Sequence, residues 1–125
     1  QVCLHHIRQI KWALGIDGVQ TSVCSWATLP TMDADGKKRE GAQIDLVIDR
    51  RDQTINLCEM KFCMRPFEIT PAYLEHIISR RELFREVTGT NKALHLTFVT
   101  TYGLVKNAQY GMIQSEVTMD DLFKY

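Results

Sequence analysis

The chain has no apolar run approaching the roughly 18 residues that a membrane-crossing helix requires, so no membrane role is expected. It also lacks the charged start and apolar stretch of a secretory signal. The cysteines Cys3, Cys24, Cys58 and Cys63 show no CxxC spacing. That absence points to reduced thiols in a cytoplasm, with buried structural cysteine expected. A zinc site would have to be assembled from scattered residues such as His5, His6 and a distant cysteine. Net charge is absent too: 15 Lys and Arg balance 15 Asp and Glu. No global positive field is available for non-specific DNA binding, so any nucleic-acid contact must come from a local patch. There is no internal repeat and no low-complexity tract.

What remains is ordinary globular usage. With 45% apolar and 24% charged residues over 125 positions, the chain can bury one core and is expected to form a single domain. Gln1 opens directly into a helical pattern without an N-capping residue, which suggests a domain cut from a longer chain.

Val2, Leu4, Ile7, Ile10 and Leu14 recur at helical spacing, predicting a helix over 1–14 that stops at Gly15. Val19 to Trp26 has the composition of a strand. The segment from Asp33 to Arg39 is polar throughout and is expected as an exposed hairpin loop. Asp33-x-Asp35-Gly36 resembles the opening of a calcium loop, but Lys and Arg fill the following ligand positions, which predicts a solvated turn. In Ala42 to Ile48, Ile44, Leu46 and Ile48 alternate with Gln43, Asp45 and Val47. A second run from Thr54 to Cys63 follows a short turn, so the two are expected to pair as an antiparallel hairpin. Thr70-Pro71 marks a helix start, and a 3.6-residue period continues to Gly89. Ala93 to Thr101 reads as a strand covered on both faces, central or nearly so. A weak strand over Ile113 to Val117 and a short helix introduced by Thr118 and Asp121 complete the order. Helices alternating with a mixed sheet predict an α/β fold, a central mixed β-sheet flanked by helices.

The chemistry-bearing segment is Ile44-Asp45-Leu46-Val47 with Leu57-Cys58-Glu59-Met60-Lys61-Phe62. On a strand, Glu59 and Lys61 project to the same face, and the hairpin brings Asp45 towards them. Charged groups on so apolar a strand are costly unless they are paired or bind metal. Two carboxylates with a lysine suit phosphodiester hydrolysis: hard oxygen ligands hold a divalent cation, and the ammonium orients water or offsets developing charge. The same residues could instead form a structural Glu59–Lys61 ion pair.

Asp45, thirteen residues, then Glu59-Met60-Lys61, with a helix before and a helix and strand after, resembles the D…(D/E)xK signature of the PD-(D/E)XK nuclease superfamily. Gly41 to Asp49, Ile55 to Phe62 and Leu96 to Leu104 also resemble the C-terminal domain of bacterial AAA-type ATP-binding proteins, especially those of Bacteroides-like organisms. That resemblance implies a restriction-endonuclease-like core, with Asp45 and Glu59 as ligands of Mg²⁺ or Mn²⁺ and Lys61 as catalytic lysine. It further implies a nucleic-acid substrate and an upstream ATPase module as partner. A catalytically silent copy of the fold, serving interaction or regulation of the ATPase, is the alternative. Two departures stand out: Ile44 replaces the proline that often precedes the first acid, and residues 1–14 lack the glutamate that many relatives carry on the first helix.

Other charges read as solvated. Arg80, Arg81 and Arg85, with Lys92 beyond them, could track a phosphate backbone. The interleaved Glu75, Glu82 and Glu86 point instead to intrahelical ion pairs on an exposed face. Lys37, Lys38 and Arg39 are expected to serve solubility. Adjacent His5 and His6 diverge by about 100° on a helix and make a poor chelating pair. Trp12 and Trp26 read as core or interface anchors, and Thr100, Thr101 and Tyr102 as a strand-terminal turn.

Overall fold

The structure, a computed structural model, describes residues 6–32, 36, 38–39 and 41–122. His5, Lys37 and the Asp33-x-Asp35 pair lie outside them. Helix α1, Ile7–Ala13, buries Ile10, and the chain leaves it through Gly15 at φ 73°. Strand β1 spans Thr21–Thr28. A two-stranded antiparallel ribbon follows, β2 at Thr31–Met32 and β3 at Lys38–Arg39, so the last two residues of the expected hairpin loop belong to a strand. Strands β4, Ala42–Arg50, and β5, Thr54–Lys61, form the expected hairpin. Gly41 enters β4 so close to β1 that a Cβ there would stand 2.6 Å from the Thr28 carbonyl oxygen.

Helix α2, Pro71–Thr88, has the termini that its sequence specifies. The Tyr73 N–H donates to Thr70 Oγ1 at 3.2 Å, Pro71 needs no partner in the first turn, and Gly89 closes the helix at φ 69°. A parallel strand can be reached only by such a crossover. Accordingly β6, Ala93–Thr100, lies parallel to β5, and β7, Ser115–Thr118, lies parallel to β6. A 3₁₀ turn, Tyr110–Met112, sits between them. In α3, Met119–Leu122, Asp121 Oδ2 accepts the Thr118 N–H at 2.9 Å, the expected acidic cap.

The five-stranded sheet runs β1-β4-β5-β6-β7, so β5 is central and β6 its neighbour. This is a mixed sheet with flanking helices, an α/β fold. Beneath α1 and α3, Ile10, Leu46, Ile48, Val99, Val117 and Leu122 cluster. Against α2 lie Ile44, Val47, Leu57 and Phe84, with Trp26 meeting Phe84 edge-on at 5.1 Å. Ile69, Ile77, Leu96 and Phe98 extend that layer. Trp12, by contrast, is half exposed. Among the described residues no helix is long and apolar enough to cross a membrane.

One expectation fails inside β4. Between the pairs Cys24↔Val47 and Trp26↔Ile44, β1 advances two residues while β4 advances three. This β-bulge at Asp45 and Leu46 breaks the pleat. Ile44 therefore joins Val47 in the α2 layer, while Leu46 and Ile48 pack on the other face.

Candidate functional site

Glu59 and Lys61 do share the face of β5 beneath α2, as a period of two requires. Glu59 is buried there, at 7% exposure, and Lys61 is half-buried. Their partners are unexpected. Arg80, on α2, places Nη1 2.7 Å from Glu59 Oε1 and 2.9 Å from the Gln43 carbonyl oxygen. Lys61 makes no ion pair with Glu59. Its Nζ lies over the rings of Tyr73, 5.1 Å from the centroid, and Phe67, at 5.6 Å. The structural Glu59–Lys61 pair considered from spacing alone is thus replaced by a Glu59–Arg80 pair.

Asp45 reaches the same region by way of the bulge. The β4–β5 ladder closes at Leu46↔Cys58, one residue short of it. The Met60 N–H then donates, at a long 3.4 Å, to Asp45 Oδ2. A ladder end has been exchanged for a carboxylate turned towards β5.

Burial raises the Glu59 carboxyl above its ordinary range; the Arg80 guanidinium opposes that shift, the Asp45 charge adds to it, and Lys61 opposes it. Arg80, Asp45 and Lys61 each act on the Glu59 carboxyl, which makes Glu59 the centre of the group. Arg80 is not on a solvated face: its side chain is 16% exposed. A signal for this was present, since Arg80 falls three residues after Ile77 and four before Phe84, inside the apolar stripe of α2.

The donor set suits a hard cation only modestly. Magnesium commonly takes one or two carboxylates and fills its other positions with water and substrate oxygens, and Asp45 with Glu59 meet that minimum. Among the described residues there is no group of three His, Cys, Asp or Glu able to hold a metal. The described part of the first helix supplies no acid.

Other candidates separate from the site. Lys92 Nζ bonds Asp49 Oδ1 at 2.6 Å and the Arg50 carbonyl oxygen, at the far end of the sheet. Arg81 pairs with Glu82, and Arg85 donates to the Thr90 carbonyl oxygen. Thr101 Oγ1 accepts the Cys63 N–H at 3.1 Å, tying together the ends of β5 and β6. Two open grooves lie at the surface, one of them lined by Arg80. One, of about 520 Å³, is lined by Gly41, Ala42, His76, Ser79, Arg80 and Leu83 among others. The second, of about 540 Å³, lies past the end of β5 among Cys63, Arg65, Pro66, Phe67, Glu68 and Val105.

No protein-family model matches the chain, and no curated protein matches it in sequence. Among solved structures it is similar in fold to AF1548, a protein of unknown function: TM-score 0.56, 16% identity, 97% of this chain covered. The chain spans 64% of that protein's length. At such identity the likeness extends to the path of the backbone alone.

Proposed function

We propose that the chain is a metal-dependent nuclease-type domain, with a restriction-endonuclease-like core, that hydrolyses phosphodiester bonds of nucleic acid. The observation that carries this reading is geometric: Glu59 and Lys61 share one face of β5, Asp45 Oδ2 accepts from the Met60 N–H between them, and Arg80 pairs with the buried Glu59. Asp45 and Glu59 would hold Mg²⁺ or Mn²⁺, and a bound ion supplies Lewis acidity towards a phosphoryl oxygen and towards water. Lys61, held above Tyr73 and Phe67, keeps its ammonium poised beside the acids, where it offsets negative charge that develops on a phosphorane-like transition state. In keeping with the resemblance in sequence, the domain would act within a longer chain under an ATPase module.

A second reading, a silent copy of the fold used for interaction or regulation, is favoured by one observation: Arg80 already neutralises Glu59. A cleavage assay separates the two. The chain, alone and joined to its proposed ATPase module with ATP, is incubated with single- and double-stranded DNA and RNA in Mn²⁺ or Mg²⁺. Metal-dependent cutting that falls by roughly a hundredfold or more in Lys61→Ala is expected of the nuclease. No cutting of any substrate under any of these conditions leaves the silent module standing.

A further inference from the structure

A guanidinium at hydrogen-bond distance from a carboxylate oxygen competes for that oxygen with any divalent cation, because both draw on the same negative charge. Arg80 holds this position, with Nη1 2.7 Å from Glu59 Oε1. The hold is incomplete. Only Nη1 is used, shared between Glu59 and the Gln43 carbonyl oxygen, whereas a forked arginine–carboxylate pair engages two nitrogens. Arg80 Nε is buried with no acceptor, a standing penalty in this arrangement. Beside the side chain lies the open groove bounded by Gly41, Ala42, His76, Ser79 and Leu83, with room for a long flexible residue.

We propose that Arg80 is a resident counter-ion that gates metal loading: it occupies Glu59 while no divalent ion is bound and swings into the adjoining groove when one enters. The inference rests on the metal-site reading above. Arg80 is a positioning residue acting through Glu59. Its charge, more than its shape, sets how tightly the acids hold a cation.

The test is Mn²⁺ binding, followed by calorimetry and by the paramagnetic signal of free Mn²⁺, at about pH 8 where carboxylates are ionised. Arg80→Met, which keeps the apolar stem and removes the charge, is expected to bind Mn²⁺ at least roughly tenfold more tightly than the unaltered chain. Its melting temperature should rise correspondingly more on Mn²⁺ addition. Arg80→Lys, which keeps the charge, should return affinity towards the original value. Adding Glu59→Gln to Arg80→Met should abolish the gain. Equal or weaker binding by Arg80→Met, or a gain that survives Glu59→Gln, overturns the proposal.

Should Arg80→Met fail to fold, the unaltered chain still decides the matter. With ¹⁵N-labelled arginine, Mg²⁺ saturation should shift the Arg80 Nε–H resonance, and an unmoved resonance counts against the gate. A chain that cuts nucleic acid while Arg80→Met gains no affinity loses the gate and keeps the nuclease. If neither form binds Mn²⁺, both are lost.

Discussion

Strand β5 carries two buried polar side chains three residues apart, and they are treated in opposite ways. Asn56, fully buried, sits in a closed network: Arg50 Nη1 donates to its Oδ1 at 3.1 Å, and its Nδ2 donates to Thr97 Oγ1 at 3.0 Å. Arg50 in turn grips Asp52 with two bonds, of 2.9 and 2.6 Å. Around Glu59 the bonding is left open. Arg80 Nε and Tyr73 Oη, both on α2 above Glu59 and Lys61, are buried without partners. A neutral amide with both its oxygen and its nitrogen bonded helps to fix the register of β5 against β6. A charged cluster with unmade bonds is poised to accept something else, since buried polar groups are otherwise almost always paired.

The largest effect is expected at the closed end. Asn56→Ala removes the Thr97 Oγ1 partner in the sheet interior and leaves the Arg50 guanidinium held by Asp52 alone. It should cost about 2 kcal/mol in urea unfolding, within the range for a buried group that loses its partner. Mn²⁺ affinity should be unchanged. Glu59→Gln, at the open end, should cost no more than about 1 kcal/mol, because the amide still bonds Arg80 and the desolvation of a charge is relieved. Mn²⁺ binding should be lost. If Glu59→Gln proves the more damaging of the two to stability, the contrast is void and Glu59 is a structural acid.

The same contrast explains how far the sequence could be read. Helix α2 was legible to the residue because local chemistry sets its ends: Thr70 caps, Pro71 starts, Gly89 stops. The common face of Glu59 and Lys61 was legible because a strand alternates. Asp45 was harder, since the bulge is set by β1 across the pairing from Cys24 to Trp26, a non-local constraint that strict alternation conceals. Arg80 was misread for a related reason. Its neighbours Glu75, Glu82 and Glu86 suggest partners along the helix, whereas its actual partner lies 21 residues earlier, on the sheet. The ribbon of β2 and β3 left no apolar pattern to find. Local signals gave the elements and one face of the site; pairing across the sheet gave the rest.

The smallest effect, in acid, sharpens the comparison because the two ends should respond with opposite sign. His95, in register with Asn56, has its pKa lowered from 6.5, first by burial and then by the Arg50 charge, with Asp52 opposing. The fold therefore favours neutral imidazole. Its contribution to stability is present above the unfolded value and lost as pH falls through the lower folded one. Glu59, with its pKa raised, behaves inversely: its contribution is full below the ordinary carboxylate range and is lost as pH rises through the folded value. Acid should thus loosen the Asn56 end while relieving the Glu59 end. Urea midpoints measured from about pH 8 down to about pH 5, across the range where histidine titrates, test this directly. His95→Asn should flatten the decline below pH 6.5 and leave behaviour above it unaltered. An acid limb identical to that of the unaltered chain would mean that neither burial nor the Arg50 charge disfavours the His95 imidazolium, and that the closed end carries no such linkage.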